Sequence, residues 1–237
     1  MPMEKRIETG LAQLGLSPAP DAAAKLARYG EMLIEQNKVM NLTAITDPDQ
    51  VASLHMLDSA ALLRYVNLKD KSLIDVGTGA GFPGLVLKIL EPSLKLTLLD
   101  GLQKRLNWLG QVCEELGLEN VTLLHGRAEE ESLKSAHRDK YDFASARAVA
   151  AMNVLTEMCL PYVKVGGRFL AMKSVESEEE LAQAAHAIKL LGGRVRQTED
   201  YLVPHTDVTH RLVVIEKVAP TLKGYPRRWA KVQKAPL

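Results

Sequence analysis

The residues of this chain best suited by type and spacing to chemistry are Asp75, Gly77, Thr78, Gly79 and Gly81, followed by Phe82-Pro83-Gly84. An apolar run, Leu73 to Val76, enters this loop, and a helix-like segment, Leu85 to Leu90, leaves it. Glycines let the backbone turn sharply and approach a ligand closely, because no Cβ intervenes. An acidic residue ahead of the first glycine, in the order Asp-x-Gly-x-Gly-x-Gly, suits a ligand with an ammonium group. S-adenosylmethionine carries one on its methionine portion, so the loop points to methyl transfer. The same residues offer a rival reading, since Gly79 to Gly84 fits G-x-G-x-x-G, the dinucleotide fingerprint of hydride transfer. Asp100, at the end of the next apolar run, suits ribose hydroxyls in either case. Register favours the methyl donor. A dinucleotide loop places its first glycine directly after the strand, and counting from Gly77 that spacing fails at Phe82.

Further candidates fall after the later apolar runs: Gly126-Arg127-Ala128-Glu129, then Ser145-Ala146-Arg147-Ala148, then Lys173. The end of the fourth run lacks the Asn/Asp-Pro-Pro-aromatic sequence usual in amino-nitrogen methyltransferases. It also lacks the nucleophilic cysteine that cytosine C5 chemistry needs. An acceptor needing no acid–base help fits better, and N7 of guanine is one, with an in-plane lone pair and no proton to lose. Attack on a sulfonium methyl then needs mainly alignment. Arg147 and Lys173 are the candidate catalytic groups, read as holding phosphate, a carbonyl edge of the base or the cofactor carboxylate rather than as bases. His55, Asp58 and Ser59 share one helix face, but a hydrolytic triad is assembled from separate elements. They read as a hydrogen-bonded cluster or a contact with substrate.

The elements that must position these groups follow from periodicity. Strands are expected at 72–76, 95–99, 121–124, 141–145, 166–172, 194–203 and 209–217, with helices at 84–90, 102–116, 129–135, 151–163 and 177–190. Regular alternation implies a parallel sheet with helices on both faces. The short link Pro204 to Val208 makes the last two strands an antiparallel hairpin. The expected class is therefore α/β, a Rossmann-like, mostly parallel seven-stranded sheet of the class I S-adenosylmethionine-dependent type. Residues 5–66 read as helical around a loop at 37–43, with Asp47-Pro48 opening the second helix. The division is a helical extension (1–70), a methyltransferase core (71–218) and a basic tail (219–237). Little chain is left for the substrate domain a nicotinamide enzyme would need.

At 237 residues and a formal net charge of +1, bulk charge does not announce a nucleic-acid partner. Its distribution does. After Glu216 come Lys217, Lys223, Arg227, Arg228, Lys231 and Lys234 with no acidic residue, and Tyr225 and Trp229 lie among them. Cations meet phosphates and aromatic rings stack on bases, so this tail reads either as an RNA contact or as a solvated basic terminus. Cys113 and Cys159 read as buried thiols of a reducing compartment. The six histidines form no metal-ligand spacing. No run approaches the length of a membrane span and no signal-like segment opens the chain, so a cytoplasmic protein without a metal is expected.

Taken together these motifs are specific. The chain resembles the bacterial small-subunit ribosomal RNA guanine-N7 methyltransferases, also called glucose-inhibited division protein B. The likeness runs through Asn37 to Ile45, His55 to Ser59, Asp75 to Gly84 and Leu98-Leu99-Asp100 with Lys104-Arg105. It continues through Gly126 to Glu129, Arg147-Ala148, Leu170 to Lys173, Arg211 to Ile215 and Tyr225 to Arg228. It implies a donor bound by Gly77, Phe82, Ala128, Glu129 and Arg147, with Asp100 at the ribose. It implies a guanosine in a loop of 16S rRNA as acceptor, where N7 escapes the narrow major groove of an A-form helix. Asn41, His55, Lys104, Arg105, Lys173, Arg211, Arg227 and Arg228 are the expected RNA contacts. A monomer with no obligate protein partner is expected. Two departures are visible: Gly101 stands where serine is common, and Ser174 where glycine is usual.

Overall fold

The computed structural model describes residues 1–147 and 150–237. Seven strands form one sheet: β1 (Ser72–Val76), β2 (Lys95–Asp100), β3 (Val121–His125), β4 (Tyr141–Arg147), β5 (Val163–Ser174), β6 (Gly193–Leu202) and β7 (Thr209–Lys217). Their order is β3-β2-β1-β4-β5-β7-β6, parallel except where β7 runs antiparallel between β5 and β6. Strand order reverses at the β1/β4 boundary, where an open α/β sheet offers a crevice beyond its carboxyl ends.

Before the sheet lie α1 (Met3–Gln13), α2 (Ala22–Met40) and a composite helix, α3. The composite consists of an α turn (Pro48–Gln50), a π-helical stretch (Val51–Leu57), a second α turn (Asp58–Ala60) and a 3-10 turn (Ala61–Arg64). Asp47 opens it as expected, its side chain accepting from Gln50 N at 2.9 Å with Pro48 in the first turn. The expected loop at 37–43 starts later, because α2 continues to Met40 and ends on Asn41 in the left-handed conformation. The crossover helices are α4 (Gly84–Leu90), α5 (Gln103–Glu115), α6 (Ala128–Glu131) and α7 (Met152–Cys159). Two short helices, α8 (Glu178–Gln183) and α9 (Ala185–Leu190), replace the single one expected at 177–190. The helix expected to reach 163 stops at Cys159, since Pro161 supplies no N–H for another turn; a 3-10 turn follows and β5 begins at Val163.

Alternation along the strands sends residues to two cores. Leu73, Phe143, Leu170, Leu212 and Val214 face the core shared with α1 to α5. Ile74, Ala144, Ala146, Phe169, Val213 and Ile215 face the core shared with α7 to α9. Asp75, Ser145, Arg147 and His210 have the parity of the first group, and the last two meet α3 at Leu54, His55 and Asp58. Lys173 and Arg211 have the parity of the second.

Candidate active site

Gly77, Gly79 and Gly81 all have positive φ (70°, 58° and 94°), a region L side chains rarely adopt. A Cβ at Gly81 would also strike the Tyr29 hydroxyl, which donates to the Ala80 carbonyl and anchors the loop to α2. Asp75 is fully buried. Its Oδ2 accepts from Thr78 Oγ1 at 2.6 Å and from Gly84 N at 3.3 Å, and its Oδ1 accepts from Ser145 Oγ at 2.8 Å. Ser145 sits directly opposite in the β1/β4 register. Burial pushes the Asp75 pKa up, while these donors oppose the shift. Asp75 was expected on the ligand; it instead lies beneath the loop and holds its shape.

Above the loop is a cavity of about 650 Å3, within the range of about 300–1,000 Å3 usual for small-molecule sites. The glycine loop, Asp100, Arg105, Arg127, His55 and Arg147 reach its wall. Asp100 Oδ2 accepts from Gly79 N at 2.9 Å and Oδ1 from Leu102 N at 2.8 Å, so this carboxylate is fixed at the end of β2. A second cavity of about 240 Å3 shares Gly77, Asp100, Gly101 and Arg127 with the first. Val76, Leu99, Ala128, Leu155 and Met158 make it largely apolar, and Glu129 adds a carboxylate.

Arg147 stands at the end of β4 with its guanidinium 4.8 Å from the Phe82 ring centre. It donates to the Leu54 carbonyl at 3.0 Å, to Asp58 Oδ2 at 3.3 Å and to His55 Nδ1 at 2.9 Å. A guanidinium only donates, so Nδ1 of His55 is an acceptor and its Nε2–H points to Thr43 Oγ1 at 2.8 Å. Burial, then the Arg147 charge, push the His55 pKa down to about 3. Its neutral ring stacks on Phe82 at 4.6 Å. Asp58 Oδ1 accepts from Tyr201 Oη at 2.8 Å and pairs with His210 Nδ1 at 2.8 Å. That hydrogen bond raises the His210 pKa. The widened π-helical turn carries His55 into this cluster, and such turns recur at functional positions. A third cavity, about 460 Å3, lies beyond this cluster. Arg147 and His55 wall both it and the first cavity, and Asp58, Lys173, Ser174, Glu180 and His210 complete its polar lining.

Residues 22–208 match the family model of rRNA small subunit methyltransferase G, or GidB. The chain belongs to that family. A ribosomal RNA small subunit methyltransferase G of Alkaliphilus metalliredigens is 46% identical, covering 98% of this chain and 97% of that protein. One of Alkaliphilus oremlandii is 44% identical over 100% of both. Among solved structures, a SAM-dependent O-methyltransferase of Thermotoga maritima superposes with a TM-score of 0.52 at 18% identity, covering 81% of this chain and 73% of that one. That likeness establishes the class I methyltransferase fold expected from the alternation of strands and helices.

In this GidB family member the other expected site residues are dispersed. Gly77, Thr78, Gly79, Phe82, Asp100 and Arg147 share the first cavity, Ala128 and Glu129 the second. Gly81 is buried and reaches neither cavity wall. Lys173 binds Glu180 at 2.7 Å and the Ala150 carbonyl at 3.2 Å. Arg211 lies directly across from Lys173 in the β5/β7 register but is held by Asp200 at 2.6 and 2.8 Å. Asn41, Lys104 and Arg228 are exposed, and Arg105 reaches Asp100 at 3.5 Å. Ala148, named in the fourth-strand motif, lies outside the described residues.

The segment read as a basic tail is packed against the core. Arg227 clasps Glu157, whose side chain is 0% exposed, through Nη2 at 2.7 Å, Nε at 2.9 Å and its own backbone N at 2.8 Å. Arg138 donates to the carbonyls of Thr221, Leu222 and Tyr225. Val232 is fully buried, and Trp229 reaches the second cavity. Arg211 and Arg227 are thus engaged by carboxylates of the chain itself. Sequence reading missed Tyr201 and His210, and it placed Trp229 in a tail read as an RNA contact rather than at a cavity wall. For His210 a signal existed: it shares the parity of Leu212 and Val214, a polar residue aimed at a covered face.

Proposed function

We propose that this chain transfers a methyl group from S-adenosylmethionine to N7 of a guanosine in a loop of 16S rRNA, by direct in-line displacement. The observation that carries the reading is the meeting of two cavities at Arg147 and His55, one walled by the glycine loop and the other by Asp58, Lys173 and Glu180. The first two cavities fit the donor: Asp100 suits the ribose hydroxyls, Ala128 and Glu129 the adenine, and the Gly77–Phe82 backbone the methionine portion. Bound there, S-adenosylmethionine supplies an electrophilic methyl. The chain's part is then to orient and to exclude water.

Among the described residues at the junction, His55 is not set up as a base and no cysteine is placed as a nucleophile. His55 Nδ1 is occupied by Arg147 and its pKa lies near 3. Cys113 and Cys159 are buried, burial raising the Cys113 thiol to about 11 and Cys159 also upward. An acceptor without a proton to lose is what such a site serves. Asp58 and Glu180, lining the acceptor cavity, favour a cationic product and the N–H groups of guanine. Arg147 and Lys173 act as positioning cations there. The phosphates of the RNA are assigned to Lys104, Arg105, Arg127 and Arg228, with Asn41 at the rim, while Arg211 and Arg227 hold the scaffold. The division into extension (1–70) and core (71–218) follows the same reading, with α3 completing the acceptor cavity. No helix among the described residues is long and apolar enough to cross a membrane; a cytoplasmic monomer acting on small-subunit rRNA fits the substrate.

The test is methylation of 16S rRNA, free and in small subunits, with labelled donor, followed by nuclease digestion and mass spectrometry of the nucleosides. N7-methylguanosine is expected, lost in Arg147→Ala and kept in Cys113→Ser and Cys159→Ser. Recovery of 5-methylcytosine or N6-methyladenosine, or a trapped cysteine adduct, would overturn the proposal.

A further inference from the structure

Residues 219–237, packed against the core, contain one tryptophan whose ring faces the site. Trp229 begins α10 (Trp229–Lys234) and is partly exposed. It enters the wall of the 240 Å3 cavity together with Val76, Leu99 and Ala128, which come from the ends of β1 and β2 and the start of α6. Arg127, which walls both this cavity and the larger one, lies with its guanidinium 5.6 Å from the indole centre. The segment is not held there by the indole alone. Arg227, two residues earlier, is fixed on buried Glu157; Val232, three residues later, is fully buried in the core shared with α7 to α9. Upstream, Lys217 is completely buried, donating to the Leu160 carbonyl at 2.8 Å and pairing with Asp139 at 3.2 Å. The backbone on both sides of Trp229 is therefore anchored to α7 and the core behind it independently of any ligand.

From this geometry we infer that Trp229 is a cofactor-binding residue: its indole forms the outer wall against the purine of the methyl donor, and the C-terminal segment is part of the donor site. This rests on the cofactor reading above. The chemistry is that of an aromatic ring against a purine, which is insensitive to the base's hydrogen-bonding edge. The apolar inner wall takes one face of the base and the indole the other. The cation beside the indole, Arg127, strengthens the ring's hold on its place. An aromatic residue among cations is the pattern expected of an RNA arm; here its ring is turned inward.

The experiment compares full-length wild type, Trp229→Ala and Trp229→Phe by calorimetry with S-adenosylhomocysteine and with adenosine. Trp229→Ala is expected to weaken both by a similar factor of about tenfold or more, because the lost contact is to the base alone. Trp229→Phe keeps an aromatic wall and is expected to stay within about threefold of wild type. The chain has two tryptophans, and the other, Trp108, is buried beside Tyr29. The fluorescence change on adding S-adenosylhomocysteine is thus expected in wild type and absent in Trp229→Phe at saturating ligand. Affinity of 16S rRNA for Trp229→Ala is expected to match wild type. Unchanged cofactor affinity in Trp229→Ala, a fluorescence change that survives in Trp229→Phe, or a selective loss of RNA affinity overturns the inference. Failure of wild type to bind either ligand overturns the cofactor reading itself.

Discussion

Replacing Asp58 by Asn tests the cluster that joins the sheet to α3. The carboxylate is buried and serves three partners: Arg147 through Oδ2, and Tyr201 and His210 through Oδ1. An amide of the same shape turns one oxygen into a donor, which must face either the guanidinium or the Tyr201–His210 pair. At 3.3 Å and an effective dielectric of about 20, the attraction lost between Asp58 and Arg147 is about 5 kcal/mol. Relief of the buried carboxylate's desolvation returns part of it, and Arg147 keeps Leu54 and His55. A net loss of about 3 kcal/mol is expected, the lower end for breaking a buried pair. In a domain of this size that is a fall of about 6–12 °C in Tm. The pH dependence adds a sign. The His210 pKa is raised in the folded state, so its contribution is fully present below the unfolded value of about 6.5 and fades as pH rises through the folded value. Urea unfolding of wild type and Asp58→Asn, at pH values spanning that window, measures both effects. A loss under about 1 kcal/mol, or a variant retaining the wild-type pH slope, would refute the reasoning.

Gly81→Ala and Gly79→Ala should separate folding from binding. The first drives a Cβ into the Tyr29 hydroxyl and to 2.9 Å from Leu109, lowering Tm and donor affinity together. The second meets nothing closer than the Gly77 carbonyl at 3.9 Å and costs about 1–2 kcal/mol of backbone strain, so the fold persists while donor binding drops; calorimetry beside thermal melts distinguishes them. Arg227→Ala abandons the buried Glu157 carboxylate and should cost about 3–5 kcal/mol in urea unfolding; a surface-like loss under about 1 kcal/mol would mean that the clasp is not formed in solution. Single-turnover methyl transfer should show no inflection assignable to His55 between about pH 6 and about pH 8; a limb in that range that disappears in His55→Ala would restore a general base.

Much of this site could be read from the chain because backbone geometry writes itself into residue type. Gly77, Gly79 and Gly81 mark positive φ, and Asp100 marks the end of an apolar strand. The parallel sheet and its closing hairpin followed from alternation and one short connection. What could not be read depends on side-chain reach across the fold. Asp75 looks like a ligand group from its register, but only the opposed Ser145 and the following Thr78 reveal that its oxygens are already engaged. Arg227 looks like a free cation until Glu157, seventy residues away, is seen beneath it. The π-helical turn at Val51–Leu57 leaves the composition of an ordinary helix, so the displacement of His55 toward Arg147 has no sequence signature.

The partition formed by Arg147 and His55 belongs to two bodies at once, the arginine to the sheet and the histidine to the helices in front of it. On the function proposed above, each ligand's arrival therefore acts on a surface that the other ligand also touches. Thermodynamic linkage makes that influence reciprocal: whatever factor the methyl donor imposes on RNA affinity, RNA must impose on donor affinity. In the same proposal the demethylated product takes the donor's side of the partition, but without the sulfonium charge. On the function proposed above, the loss of that charge is felt at Arg147, the wall that the donor cavity shares with the acceptor cavity.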